Sequence, residues 1–233
     1  MTPNKYKKLE EKIGIKFKNL DILTKAFVHR SYINEHKNEN IEDNERLEFL
    51  GDAVLELVAT KHLFETCPNK AEGEMTSFRS ALVRGKNLAD VSEELSLGKY
   101  LFLSKGEEKS GGRKKNYILA NTLEALIGAI YLDQGYHTAE EFIEKFIMAE
   151  LDEIIEKELH IDAKSRFQEI CQEKEGITPH YKIIAEEGPD HNKQFTMGAY
   201  IDKKQIATGT GSSKHDAEDE AARNALKVKR WET

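Results

Sequence analysis

Twelve residues, Asn44-Glu45-Arg46-Leu47-Glu48-Phe49-Leu50-Gly51-Asp52-Ala53-Val54-Leu55, restrict this chain more than any other part of it, because they set three acids into an apolar stretch. Glu45, Glu48 and Asp52 stand at i, i+3 and i+7, so an α-helix projects all three from one face. Leu47, Leu50, Val54, Leu57 and Val58 then form the opposite, core-facing stripe. Carboxylates withdrawn from water are costly, so such a cluster requires a cation, a basic partner or a wet cleft. Mg²⁺ is the first candidate, since it is a hard cation that takes oxygen ligands. A merely solvated acidic face is usually flanked by Lys four residues on; these acids are instead interleaved with Leu, Phe, Val and Gly. Gly51, beside Asp52, suits a close backbone approach.

A second stretch, Ile118 to Asp133, places Asn121 and Glu124 three apart in a run that is otherwise nearly all apolar. The first segment resembles the signature of the ribonuclease III family almost letter for letter, and the second resembles that family's Asp-x-x-Glu helix with one departure. Asn121 stands where the family usually has Asp. His29-Arg30-Ser31-Tyr32 and Lys105 to Arg113 also resemble family segments. The resemblance implies hydrolysis of double-stranded RNA with Mg²⁺, or Mn²⁺ as substitute, by Glu48, Asn121 and Glu124 as metal ligands. It further implies Asp52 as outer-sphere organiser or proton acceptor and Glu45 as a supporting acid. Glu72 sits where the family often has an acid, although a first-turn Glu favourable to the helix dipole explains it equally well. His29 is read as a structural histidine without chemistry. The implied enzyme is a homodimer that cuts both strands, leaving 5′-phosphates and short 3′ overhangs, with rRNA and mRNA precursors as the implied substrates. The alternative is a non-catalytic double-stranded RNA-binding protein whose metal site is degenerate at Asn121.

Composition narrows the classes. With 233 residues, 39% of them apolar, the chain has room for one large or two modest domains. No apolar run approaches the roughly 18 residues of a membrane span, and Met1 to Glu11 is rich in Lys and Glu, so the expectation is a cytoplasmic protein without a membrane partner. Cys67 and Cys171 lie far apart without metal-ligand spacing and are read as reduced packing residues. No Gly-x-x-x-x-Gly-Lys-Ser/Thr loop is present, which argues against a nucleotide cofactor. The net charge of −7 argues against nucleic acid only superficially. From Leu159 on there are 12 basic and 13 acidic residues, against 23 and 29 before it, so the excess acid lies mainly with the candidate metal site. A local basic patch is expected at Gly106 to Lys115, where Arg113, Lys114 and Lys115 are adjacent.

Residues 1–158 read as all-α, with helical period over Lys5–Ile13, Asp21–Val28, Asn44–Phe64, Ala71–Val83, Lys86–Leu95, Tyr117–Tyr131 and Ala139–Ile155, and a loop over Asn34–Asp43. Residues 159–163 read as a linker. Residues 164–231 then change pattern to helix (Ser165–Glu175), strands (His180–Glu186, Gln194–Ile201, Gln205–Gly209) and a helix (Ser213–Lys229) opened by a capping box of Ser213 and Asp216. This α+β order, α-β-β-β-α, resembles a double-stranded RNA-binding domain, on Arg166 to Glu169, Gly209 to His215 and Ala217, Ala221 and Ala222. A-form RNA is read by shape across two minor grooves and the intervening phosphates. Gln168 and Glu169 are placed for one minor groove and the turn from Pro189 to His191 for the next. Ser213, Lys214 and His215 stand at the helix N-terminus for the phosphates. His215 replaces a second Lys common in the family, and Asp216, Glu218 and Asp219 crowd the same turn, so a less basic patch and more salt-sensitive binding follow.

Overall fold

The computed structural model describes residues 5–36, 41–156, 160, 162–188, 193–211 and 213–231. The chain divides into two compact units, Met1–His160 and Ile161–Thr233. In the first unit the helices are α1 (Lys7–Ile13), α2 (Leu20–Ala26), α3 (Arg30–Glu35), α4 (Glu45–Thr66), α5 (Glu72–Leu82), α6 (Gly85–Glu94), α7 (Lys105–Lys109), α8 (Asn116–Gln134), α9 (Tyr136–Phe146) and α10 (Leu151–Glu156). Among the described residues no helix is long and apolar enough to cross a membrane.

α8 is the centre of this unit. It is apolar nearly all round, and a helix of that kind must be enclosed by others. Leu123, Leu126, Ile127 and Ile130 are fully buried, and α4, α6, α9 and α2 pack around them. Burial of each such side chain contributes roughly 1.5–3 kcal/mol before entropy is counted. α4 packs on α8, α5 and α9 and buries Leu47, Gly51, Val54, Leu55, Val58, Ala59 and Leu63. The expected stripe is corrected here: Leu57 is 57% exposed and Leu50 only half-buried, while Leu55 and Ala59 take their place. Contact through Gly51 rotates the buried face toward 51, 55 and 59.

Two short helices carry too few residues to show periodicity. α3 is capped by His29, whose Nδ1 accepts from the Ser31 N–H, and α7 by Ser104, whose hydroxyl accepts from Glu107 N–H. The single helix expected over Ala139–Ile155 is instead α9, a 3₁₀ turn at Met148–Glu150, and α10. The break carries Ile147 and Met148 into the core, where both are buried. Cys67 and Cys171 are unpaired thiols, and burial pushes the Cys171 thiol up to about 11.

The second unit contains α11 (Ala163–Glu175), β1 (His180–Glu187), β2 (Gln194–Ile201), β3 (Lys204–Gly211) and α12 (Lys214–Lys229). α11 begins at Ala163, inside the expected linker, because the Asp162 carboxylate accepts the N–H groups of Lys164 and Ser165. The strands form one antiparallel sheet in the order β1-β2-β3. Both helices contribute to its core, Phe167, Ile170 and Cys171 from α11 and Ala217, Ala221, Ala222 and Leu226 from α12. A Cβ on Gly209 would stand 2.1 Å from the Ala221 nitrogen, and one on Gly211 2.5 Å from the Ala217 nitrogen. α12 therefore rests on β3 backbone to backbone, which explains the run of alanines.

Candidate active site

The acids reach one another because α4 and α8 cross at two glycines. A Cβ on Gly51 would lie 1.8 Å from the Glu124 carbonyl oxygen, and one on Gly128 would lie 2.2 Å from that of Leu47. No side chain separates the helices there, so Glu48 and Asp52, on either side of Gly51, face Asn121 and Glu124. The Asn121 Nδ2 donates to Glu48 Oε1 at 2.9 Å, linking the two helices across the site. Glu45 is turned outward, with Arg30 Nη1 at 3.6 Å from its carboxylate.

The electrostatics are those of crowded like charge. Glu124 is pushed up to about 7, first by burial and then by the charges of Asp52 and Glu48. Burial likewise raises Glu48, partly offset by the Asn121 hydrogen bond, while Glu45 and Asp52 push it further. A divalent cation would relieve this repulsion. The donors are all oxygen except for the amide nitrogen of Asn121, and that nitrogen is already used on Glu48, leaving the amide oxygen as the remaining donor. Among the described residues no three acids, His or Cys converge into a ready cage. An open set of two or three oxygens suits Mg²⁺, which keeps several waters and takes substrate phosphate as well. Glu48, Asn121 and Glu124 thus fit such an ion.

Beside these acids opens a cavity of about 570 Å³ whose lining includes His29, Arg30, Asn44, Glu48, Tyr117 and Asn121. Asn44 was not singled out by spacing, yet it sets the site. It is 4% exposed, its Nδ2 donates to Ala26 O and its N–H to Val28 O. Its own carbonyl accepts from Leu47 and Glu48, starting α4 in fixed register. The segment it grips is pinned in turn, since Phe102 N–H donates to Phe27 O and His29 N–H to Phe102 O. The only sequence signal for Asn44 was its place at the head of the acid-bearing stretch. His29 does the capping described above, and burial holds its imidazole below the usual histidine range. Glu72 lies in another hollow, with Thr60, Phe64, Met75 and Arg79, and receives the Thr76 hydroxyl at 3.1 Å.

The expected basic patch at Gly106 to Lys115 is weaker than its composition. Arg113 is spent internally, on Glu108 at 2.7 Å and on the carbonyls of Gly98 and Leu101, and Lys115 pairs with Glu107 at 2.7 Å. Lys114 remains exposed.

In the second unit Gln168 and Glu169 are exposed on α11. Ser213 caps α12, its hydroxyl accepting from Asp216 N–H at 3.1 Å. Lys214 is exposed but lies 3.5 Å from Glu186, and His215 is exposed beside it. Pro189 and His191 lie outside the described residues.

Known proteins match both units. The ribonuclease-III-like family matches residues 19–151 and the double-stranded RNA binding motif residues 163–229. Ribonuclease 3 of Listeria monocytogenes is 42% identical over 223 residues, spanning 96% of this chain and 97% of its own length. That of Oceanobacillus iheyensis is 44% identical over 218 residues, 94% and 95% of the two chains. The solved nuclease domain of Campylobacter jejuni ribonuclease III superposes with a TM-score of 0.58 at 39% identity, covering 62% of this chain and 96% of that one. A nuclease half and an RNA-binding half in this order, each with its relatives, leave one assignment: the chain belongs to the ribonuclease III family, endoribonucleases that act on double-stranded RNA.

Proposed function

We propose that the chain hydrolyses the phosphodiester bonds of double-stranded RNA with Mg²⁺, and with Mn²⁺ as a substitute, at the α4–α8 crossing. The observation that carries this reading is the Asn121–Glu48 hydrogen bond, which sets a neutral amide against three mutually repelling carboxylates in a half-buried cleft. Glu48, Asn121 and Glu124 would hold the ion, and Asp52, exposed on α4, would organise the attacking water or accept its proton. A bound cation supplies positive charge for the phosphate, a more acidic water and help for the departing 3′ oxygen. Glu45, tethered to Arg30, adds negative charge beside the site without being a ligand.

Two copies are proposed to act together, each cutting one strand, to leave 5′-phosphates and short 3′ overhangs. Support comes from Phe49, which is 80% exposed beside a hollow of about 630 Å³ lined in part by Leu47, Leu50 and Leu132. A knob and a socket on one surface are what a two-fold interface requires. The Campylobacter jejuni structure is described as showing flexibility in a region involved in dimer formation. Gln168, Glu169, Ser213, Lys214 and His215 are proposed to hold the duplex, together with the turn from Pro189 to His191. Processing of rRNA and mRNA precursors in the cytoplasm is the proposed setting.

The test is duplex cleavage in Mg²⁺ beside a gel shift. Glu124→Ala should abolish cleavage and leave duplex affinity within a few-fold, because the duplex contacts lie in the other unit. A variant that still cuts would remove Glu124 from the metal site, and wild-type protein that shifts the duplex without cutting it would favour a degenerate site.

A further inference from the structure

The sheet of the second unit buries one face and leaves the other open. Met197, Ala199 and Ile201 of β2 point into the core beneath the helices. Strand alternation turns Gly198 and Tyr200 to the opposite face. The register sets His180 and Gln205 on either side of Tyr200, and Lys182 and Thr208 on either side of Gly198. Ile184, two residues beyond Lys182 and 47% exposed, lies on the same side, just before the strand bulges toward Ala185.

Gly198 determines how Tyr200 sits. A Cβ at 198 would stand 2.7 Å from the Tyr200 ring and 3.0 Å from Ile184 Cδ1. The ring thus occupies the space of the missing side chain and lies along the sheet instead of standing up from it. Its hydroxyl donates to Gln205 Oε1 at 2.9 Å, which fixes its rotation. The His180 ring is parallel to it within 15°, with centroids 5.4 Å apart, and Lys182 Nζ is 5.4 Å from its centroid. The bulge also turns Glu187 to this face, but it pairs with Gln194, four residues along β2 from Gly198 or roughly 13 Å.

We propose that this face is a stacking platform for unpaired nucleotides, so that the protein grips a single-stranded extension of its duplex as well as the duplex itself. Two parallel flat rings, one of them fixed by a hydrogen bond, beside a cation match a base with its phosphate. Bases stack on Tyr200 and His180, Ile184 borders them, and Lys182 meets the phosphate. The polar surroundings, Gln205, Thr208 and Lys182, suit a strand of RNA better than a second copy of this sheet. The proposal rests on the duplex-binding reading and adds a second surface to it.

The test uses the full chain in EDTA, so that binding is read without cleavage. A blunt duplex is compared with the same duplex carrying a short single-stranded tail that contains 2-aminopurine. The tail should tighten binding about tenfold, the scale of one stacked base, and its fluorescence should be quenched. Tyr200→Leu keeps Gly198 covered and should remove both effects while blunt-duplex affinity holds. Lys182→Ala, at an exposed position that leaves the fold intact, should lower the salt dependence of tail binding by about one phosphate contact. The platform is overturned if the tail adds nothing to wild-type affinity, or if its gain survives both substitutions. Self-association abolished by Tyr200→Leu would also overturn it, since the face would then join two copies. Failure of both duplexes to bind would defeat the duplex reading and the platform with it.

Discussion

Gly51→Ala places one methyl group where the site has no room for it. That methyl would stand 1.8 Å from the Glu124 carbonyl oxygen and 2.8 Å from the Gly128 nitrogen, whereas ordinary contact begins near 3.4 Å. Both obstacles are backbone, so no side chain can swing aside and α4 must move from α8 by roughly 1.6 Å. The Asn121–Glu48 hydrogen bond, 2.9 Å long, would open beyond hydrogen-bonding range. Overpacking of this kind costs about 1–3 kcal/mol, and at roughly 2–4 °C per kcal/mol for a domain of this size the melting point should fall by about 2–12 °C. Displacement by an ångström or more of groups that must converge on one phosphate should lower kcat about a hundredfold. Single-turnover cleavage at saturating Mg²⁺, run beside thermal denaturation and a duplex gel shift, separates these effects, because RNA affinity should stay within a few-fold. Gly128→Ala, whose methyl would lie 2.2 Å from Leu47 O, should act in the same direction but less strongly. If Gly51→Ala retains both the melting point and kcat, the helices do not touch through that glycine and the account of the crossing is wrong.

Asn121→Asp should cut better than wild type at sub-millimolar Mg²⁺, with the requirement lowered by about one to two orders of magnitude, since a unit charge near the ion is worth a few kcal/mol less desolvation. Coincident metal titrations at fixed ionic strength would show that position 121 does not touch the ion. The raised Glu124 carboxyl has a stability consequence. Its folded form holds a proton that the unfolded form releases near 4.5, so in EDTA stability should fall as pH rises from there through about 7. Mg²⁺ should restore it at pH 8, and Glu124→Gln should flatten the profile; a melting point independent of pH in EDTA would contradict the crowded-charge picture. Phe49→Asp should shift the chain toward monomer in sedimentation, and an unchanged mass would remove Phe49 from the proposed interface.

Much of the site was legible because its chemistry repeats at helical spacing. Glu48, Asp52, Asn121 and Glu124 declare themselves as polar residues in apolar helices, and Gly51 as a residue whose use is its lack of a side chain. The order of helices and strands in the second unit followed from alternation and the turn residues. What stayed hidden depends on tertiary partners. Arg113 looks like a surface cation until Gly98 and Leu101 are seen to offer it carbonyls. Leu57 fits a core stripe until Gly51 turns the helix. α3 and α7 are too short for any period, and the break at Ile147 obeys core packing, not local preference. Tyr200 shows its orientation only through the space left by Gly198.

The pin between residues 26–29, Asn44 and Phe102 also bears on the order in which the molecule assembles. Asn44 fixes the first turn of α4 by grasping Ala26 and Val28, a short closure, while His29 and Phe102 meet across a much longer loop. Closing the longer loop adds little more than a kcal/mol of entropy over the shorter one, yet it yields no reward until both ends are in place. The central pair α4–α8 can collapse first on its leucines, leaving the turn that carries Glu45 and Glu48 to be fixed last. The reverse also holds: this turn can open while the α8 core stays shut. Amide hydrogens at the head of α4 should then exchange at a lower free energy than those of Leu126 or Ile127, making the turn with Glu45 and Glu48 a separately melting part of a stable scaffold.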